Sequence, residues 1–388
     1  MTNRNIDDFN PSDERDVNFL LENQEIISNS IAKIDLRLDG LTILTEAATG
    51  NWIFTPFIAG MAKAKEIICF TKDSKYGNSK KIIENFNKLT KFFGFENLIS
   101  VHEKLTNELI HKADIITNSG LLRPINKKII DSMKNTAIIS LMWEPWEFRP
   151  EDIDLNECWK KQIPILGVNE HNSIMNIMQY DGEAIIKILN DANISLVDKK
   201  IILVGENLSA LYMYDSLQKA GANVFFVSES LQEICNTKKI LLIGNNLNQE
   251  KVIPYLENSD LIIINSIPIK EKIIGGNGIS TEKLKQLCPN VSIFVYFGNI
   301  DYKKIISSGL KCFPSTSRGD GYMGWTIDVL GPKPTIELNS LGLKVGEILA
   351  KNRPGKTKLE TENISLKEQF CLDFSEQQKN QYYKHDFI

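Results

Sequence analysis

Histidine is scarce in this chain: there are four in 388 residues, and the stretch 228–312 holds neither a histidine nor an arginine. Cysteine is equally thin, with Cys69, Cys158, Cys235, Cys288, Cys312 and Cys371 scattered and no CxxC pair or Cys/His cluster among them. That spacing speaks against a zinc cluster and a disulfide framework, so no metal site is expected. No apolar run approaches the roughly 20 residues that span a bilayer. Met1 to Arg15 is polar and acidic, without the apolar stretch of a secretory signal. The expected location is the cytoplasm, with no membrane contact. An excess of one charge is missing too: 45 Lys and Arg stand against 49 Asp and Glu, a net charge of −4. A nucleic-acid partner needs a concentrated basic face, which this mixture lacks. A single placed arginine can still hold a small anion inside an acidic protein.

What is present is a globular balance of 42% apolar and 24% charged residues, in a chain long enough for two domains. Short strands that are apolar throughout alternate with amphipathic helices, first from Leu41 to Leu166 and again from Lys199 to Tyr296. That pattern predicts parallel sheets covered on both faces, hence an α/β protein of two Rossmann-like, doubly wound domains. Residues 1–36 read as a polar lead-in and 37–170 as a first, substrate-binding domain. A connecting helix is expected within 171–195, over 171–191. Residues 196–330 read as the dinucleotide-binding domain, and 331–388 as a closing helix from about Thr335 with a polar tail.

The sharpest motif is the strand–turn–helix Ile201-Ile-Leu-Val-Gly-Glu-Asn-Leu-Ser-Ala210. In a dinucleotide fold, small residues in this turn let backbone N–H groups approach a pyrophosphate at the positive end of a helix. The three glycine positions are filled here by Gly205, Asn207 and Ala210, and Asn207 brings a side chain where a phosphate needs room. The next strand runs into Ser228 and Glu229, candidates for the ribose hydroxyls. Asn265 follows a later strand and could line the nicotinamide side. The Gly319–Gly324 loop, flanked by Arg318, reads as a lid or a plain crossover.

In the first half, polar residues gather where strands should end. Glu46, before Gly50, could orient a substrate or cap a helix; the loop also resembles the cofactor loop of adenosylmethionine-dependent methyltransferases. Asn118 and Arg123 follow another strand, and Arg123 could clamp a carboxylate or pair with an acidic neighbour. Trp143-Glu-Pro-Trp-Glu-Phe-Arg149 places Glu144, Glu147 and Arg149 within seven residues, an arrangement suited to tuning an acid or base. Asn169, Glu170 and His171 end the last strand, and His171 is the histidine best placed for proton transfer.

Two halves, a joining helix, a degenerate glycine turn and a closing helix together resemble the D-2-hydroxyacid dehydrogenase superfamily. Segment 113–190, with Asp154-Leu-Asn-Glu-Cys and Ile163-Pro-Ile-Leu-Gly, is similar to that family's first domain, and 199–330 to its NAD domain. The resemblance implies a flavodoxin-like substrate domain, bound NAD or NADP, and a hydride exchanged with a small polar or carboxylated metabolite. A homodimer is in keeping with such relatives. The family's catalytic Arg, Glu and His come from its NAD domain, and this chain offers no matching Arg or His there. Acid/base roles are therefore expected from His171, Glu144, Glu147 and Arg149, with Glu46, Asn118, Arg123, Asn169 and Glu170 binding substrate. A non-catalytic ligand-binding protein of the same fold, an adenosylhomocysteine-hydrolase-like enzyme and an adenosylmethionine-dependent enzyme remain the alternatives.

Overall fold

In the computed structural model the chain is described over residues 11–75, 77–267, 271–317, 319, 322–375 and 378–379. Its contacts divide it into two units, one of 1–176 with 331–388 and one of 177–330.

Isoleucine runs build the first unit's strands, because β-branched chains fit a pleated sheet buried on both faces. They are β1 (Thr42–Glu46), β2 (Glu66–Phe70), β3 (Ile99–His102), β4 (Ile115–Thr117), β5 (Ile138–Ser140) and β6 (Ile165–Val168). The spatial order is β6-β5-β4-β1-β2-β3, all parallel, and a short strand Cys371–Leu372 closes the β6 edge antiparallel. This corrects the flavodoxin-like domain that the family resemblance implied. Ile67 pairs with Ile99, so β3 extends the sheet beyond β2 and gives the dinucleotide-fold order. Helix Ser79–Phe93 makes that crossover, started by the Asn78 side chain on the Lys81 N–H and ended by Gly94 at φ 73°.

Helix Pro332–Asn352 packs on this same sheet, starting at a proline whose missing N–H costs nothing there. Its seat depends on two glycines four residues apart. A Cβ on Gly342 would stand 2.6 Å from Met142 Sδ, and one on Gly346 would stand 2.8 Å from Ile115. Ser140 Oγ donates to the Gly342 carbonyl at 2.6 Å, pinning helix to strand.

The helix expected over 171–191 begins only at Gln179. Asn172 accounts for the difference: its Oδ1 accepts the N–H groups of Ile174 and Met175 at 3.1 and 2.8 Å. These local bonds offer the backbone a turn in place of a helix.

The second unit holds β7 (Lys200–Gly205), β8 (Asn223–Val227), β9 (Leu242–Gly244), β10 (Leu261–Asn265), β11 (Ser292–Phe297) and β12 (Lys311–Phe313). They are parallel in the order β12-β11-β10-β7-β8-β9, again the dinucleotide order. The winding of the sheet reverses between β7 and β10, where Gly205 pairs with Asn265. Helix Gln179–Asp191 lies against helix Leu208–Lys219, and a Cβ on Gly182 would come within 2.5 Å of Ser216 Oγ. Leu203, Met213, Phe226 and Ile263 are fully buried beneath these helices.

Candidate functional site

In doubly wound sheets ligands meet the C-terminal strand ends where winding reverses. In the first unit that point lies between β1 and β4, and β1 ends there on Glu46. The carboxylate is buried, and its Oε2 accepts the Leu121 N–H at 2.7 Å. Burial pushes the Glu46 carboxyl above the usual carboxylate value, against the opposing pull of the Leu121 and Gly120 N–H groups, Arg123 and Lys72. Beside it runs a hydroxyl ladder: Thr117 Oγ1 donates to Thr45 Oγ1 at 2.9 Å and lies 2.8 Å from Ser119 Oγ.

Asn118 is fully buried after β4. Its Oδ1 accepts the Met142 N–H at 2.8 Å, while Nδ2 has no partner among the described residues. Arg123 puts Nη1 3.0 Å from Asp152 Oδ1 and lays its guanidinium over the Trp143 ring at 5.0 Å. The buried Nε of Arg123 and the indole Nε1 of Trp143 likewise find no acceptor among the described residues. Three N–H donors thus stand unsatisfied at the ends of β4 and β5, an uncommon state for buried polar groups in a folded protein. Gly120 between them is exposed, and a Cβ there would lie 3.5 Å from Arg123 Nη2 and 3.7 Å from Glu46 Oε2.

Glu144 sits buried after β5. It accepts the Trp146 indole N–H at 2.8 Å and the Glu170 N–H at 3.2 Å, and lies 3.5 Å from His171 Nδ1. That carboxylate raises the pKa of His171 above its ordinary value, against the smaller effect of desolvation. Glu147 closes the turn Pro145–Glu147, its N–H bonded to the Glu144 carbonyl at 3.1 Å. Arg149 Nη1 stands 3.8 Å from Asp152, the carboxylate that Arg123 also holds. Asn169 is turned to the C-terminal segment, donating Nδ2 to the Gln369 carbonyl at 2.8 Å. The structure therefore brings Glu46, Asn118 and Arg123 together, and Glu144, Glu170 and His171 together. Sequence reasoning missed Asp152 and the Thr45–Thr117–Ser119 ladder. Hydroxyls at the ends of apolar strands were the signal for the ladder; nothing in the spacing pointed to Asp152.

In the second unit the glycine turn keeps one obligatory glycine. A Cβ on Gly205 would meet the Ala210 Cβ at 2.2 Å, so strand and helix approach only without it. Asn207 caps helix Leu208–Lys219, its Oδ1 accepting the Ala210 N–H at 3.2 Å, and its buried Nδ2 is without a partner among the described residues. The carboxylate standing on the turn after β8 belongs to Glu206. It accepts the Ser228 hydroxyl at 3.2 Å, the Glu229 N–H at 3.1 Å, the Ser230 N–H at 2.9 Å and the Ser230 hydroxyl. The Glu229 residue itself is exposed. Asn265 is fully buried, with Nδ2 donating to Ser209 Oγ at 2.8 Å. Ser209 and Tyr296 both donate to the buried Asp181, the tyrosine at 2.5 Å. Of the glycine-rich loop, Gly324 is packed on β11, its N–H bonded to the Tyr296 carbonyl at 2.8 Å. Arg318, Asp320 and Gly321 lie outside the described residues.

These residues fit a dinucleotide. Asn207 keeps the backbone N–H that a second glycine would present, and its Nδ2, without a partner among the described residues, would be a further donor for a pyrophosphate oxygen. Glu206 Oε1, engaged among the described residues only by the Glu229 N–H it shares with Oε2, has lone-pair capacity for a ribose hydroxyl. Among the described residues no three His, Cys, Asp or Glu side chains group as a metal site, and no helix is long and apolar enough to cross a membrane.

The chain is thus an α/β protein of two Rossmann-like units. Solved structures share that fold. A dipicolinate synthase polypeptide from Bacillus halodurans is 12% identical, with 82% of this chain and 100% of that one covered at a TM-score of 0.53. A dipicolinate synthase polypeptide from Bacillus subtilis is also 12% identical, covering 82% and 98% at 0.51. An NAD-dependent formate dehydrogenase from Staphylococcus aureus, solved with NAD, is 10% identical, covering 81% and 97% at 0.42. The likeness to the two dipicolinate synthase chains is one of fold. No protein-family model matches the chain, and no curated protein matches it by sequence.

Proposed function

We propose that this chain is a cytoplasmic oxidoreductase that uses a nicotinamide dinucleotide on a small carboxylated metabolite. The observation that carries the reading is the β7 turn. Asn207 Nδ2 is left without an acceptor among the described residues at the positive end of a 12-residue helix, beside the one glycine that strand–helix contact requires. Asn207 and the helix end would hold the pyrophosphate, and Glu206 the adenosine ribose. A bound nicotinamide supplies hydride exchange. In the first unit, Arg123, Asn118 and Trp143 carry donors, unpartnered among the described residues, that suit a carboxylate. His171 keeps Nδ1 towards Glu144, which leaves Nε2 to carry a proton to or from the substrate oxygen.

Thermal unfolding alone and with NAD+, NADH, NADP+, NADPH or adenosylmethionine tests it. A ligand at a hundred times its Kd adds about 2.7 kcal/mol, a shift of a few degrees. A shift with a nicotinamide cofactor supports the reading, and none with any of them removes it. A shift with adenosylmethionine alone would move the chemistry to the Glu46–Gly50 loop. The second reading is a non-catalytic ligand-binding protein, favoured by the number of donors that Glu206 already engages.

A further inference from the structure

The turn Ser228–Ser230 is built as a receptor for an anion, and its occupant comes from the chain itself. Two backbone N–H groups and two hydroxyls from three consecutive residues converge on the Glu206 carboxylate. Consecutive N–H groups in a turn form concavities that take phosphates and carboxylates. Ser228 is fully buried, and its hydroxyl also accepts the Leu231 N–H at 3.2 Å, so its orientation is fixed. All four donors are neutral, so hydrogen bonds of the kind that would cradle a phosphate hold this carboxylate.

We infer that the Ser228–Ser230 turn is a phosphate-monoester site filled from within by Glu206, which makes the second unit select NAD over NADP. The inference rests on the dinucleotide reading for its biological ligand, and on the hydrogen bonds alone for the site itself. In the dinucleotide fold the strand after the glycine turn ends beside the adenosine ribose, where NADP carries its extra phosphate. That phosphate would need the donors that Glu206 holds and would meet a carboxylate at contact distance. Like charges placed together at a binding site are strongly disfavoured, so wild-type protein should prefer NAD on the order of a hundredfold. Glu206→Ser empties the turn and leaves all four donors in place. Glu206→Gln removes the charge while keeping the shape.

Titration calorimetry on the full chain would compare NAD+, NADP+ and adenosine 2′-monophosphate on wild type, Glu206→Ser and Glu206→Gln. Melting curves would confirm that each variant folds. The expected result is that Glu206→Ser gains affinity for NADP+ and for adenosine 2′-monophosphate, and that the NAD preference falls at least about tenfold. Glu206→Gln should lie between. A ratio of NAD to NADP affinity unchanged in both folded variants overturns the proposal, as does wild type binding NADP+ as well as NAD+. Should Glu206→Ser take adenosine 2′-monophosphate while no form binds a nicotinamide dinucleotide, the phosphate site stands and the oxidoreductase reading falls. Should it bind none of the three probes nor inorganic phosphate, the site itself is refuted.

Discussion

The imidazole Nδ1 of His171 lies 3.5 Å from Oε1 of Glu144, a carboxylate that also holds the indole of Trp146 and the N–H of Glu170. Because Glu144 favours the imidazolium, the contribution of His171 to stability is fully present below the ordinary value of 6.5 and is lost as pH rises through its raised folded-state value. In Glu144→Gln the midpoint should fall towards the ordinary value and that slope should vanish. Proton NMR titration of the His171 ring in both proteins checks this. An unmoved midpoint would mean that the pair does not form in solution.

Arg123 should be needed for substrate binding more than for turnover. Losing a charge-assisted hydrogen bond typically costs about 1.5–3 kcal/mol, so Arg123→Gln should raise KM for a carboxylated substrate roughly ten- to a hundredfold. Since Asp152 is buried and pairs with Arg123, a modest loss of thermal stability should accompany it. Trp143→Phe keeps an aromatic ring for the guanidinium and removes the unsatisfied N–H together with part of the indole. It should weaken substrate binding without that stability loss; unchanged KM in both variants would move the substrate away from β4 and β5.

Much of this was open to the sequence because the apolar alternation that makes a parallel sheet also places polar residues at strand ends. Glu46, Asn118, Glu144 and His171 are the candidates that this alternation puts at strand ends. The spacing of Gly205, Asn207 and Ala210 marked the second glycine turn because steric contact, here 2.2 Å at Gly205, leaves few residue choices. What stayed hidden depends on contacts distant in sequence. Glu206 reads as a solvated charge in a turn until its carboxylate is seen on residues more than twenty positions later. The order of the first sheet hinged on which edge β3 joined, and the strand Cys371–Leu372 was too short to carry a period. Asn172 stopped a helix whose apolar spacing looked continuous, because its side chain competes for backbone N–H groups that hydrophobicity does not register.

Glu46 should make stability fall as pH rises. Its folded-state pKa is raised above the ordinary value of 4.5, so the native state binds the proton more tightly than the unfolded chain. With more protons bound to the native state, stability decreases across the window from the ordinary value up to the raised one. Glu46→Gln should flatten that segment of the profile while keeping an acceptor for the Leu121 N–H. Chemical denaturation at a series of pH values from 4.5 upwards provides the comparison, and parallel profiles would contradict a raised pKa at Glu46.

The last expectation concerns the C-terminal segment that returns to the first unit. Lys358 and Glu362, four residues apart on helix Lys358–Ser365, pair at 2.6 Å with side chains only 4% and 8% exposed. The ammonium also lies 5.1 Å from the Trp159 ring centroid, and Glu362 Oε1 accepts the Ile165 N–H at 2.8 Å. Removing one member of a buried pair strands the other charge, so Glu362→Ala should cost about 3–5 kcal/mol. Replacing both by apolar residues of similar size, Lys358→Met with Glu362→Leu, removes the stranded charge and should cost markedly less. It still leaves the Ile165 N–H without its acceptor, which should keep the double variant about 1–3 kcal/mol below wild type. Denaturant unfolding of the three proteins would reveal this order, and a double variant as unstable as Glu362→Ala would show that β6 depends on the Glu362–Ile165 bond alone.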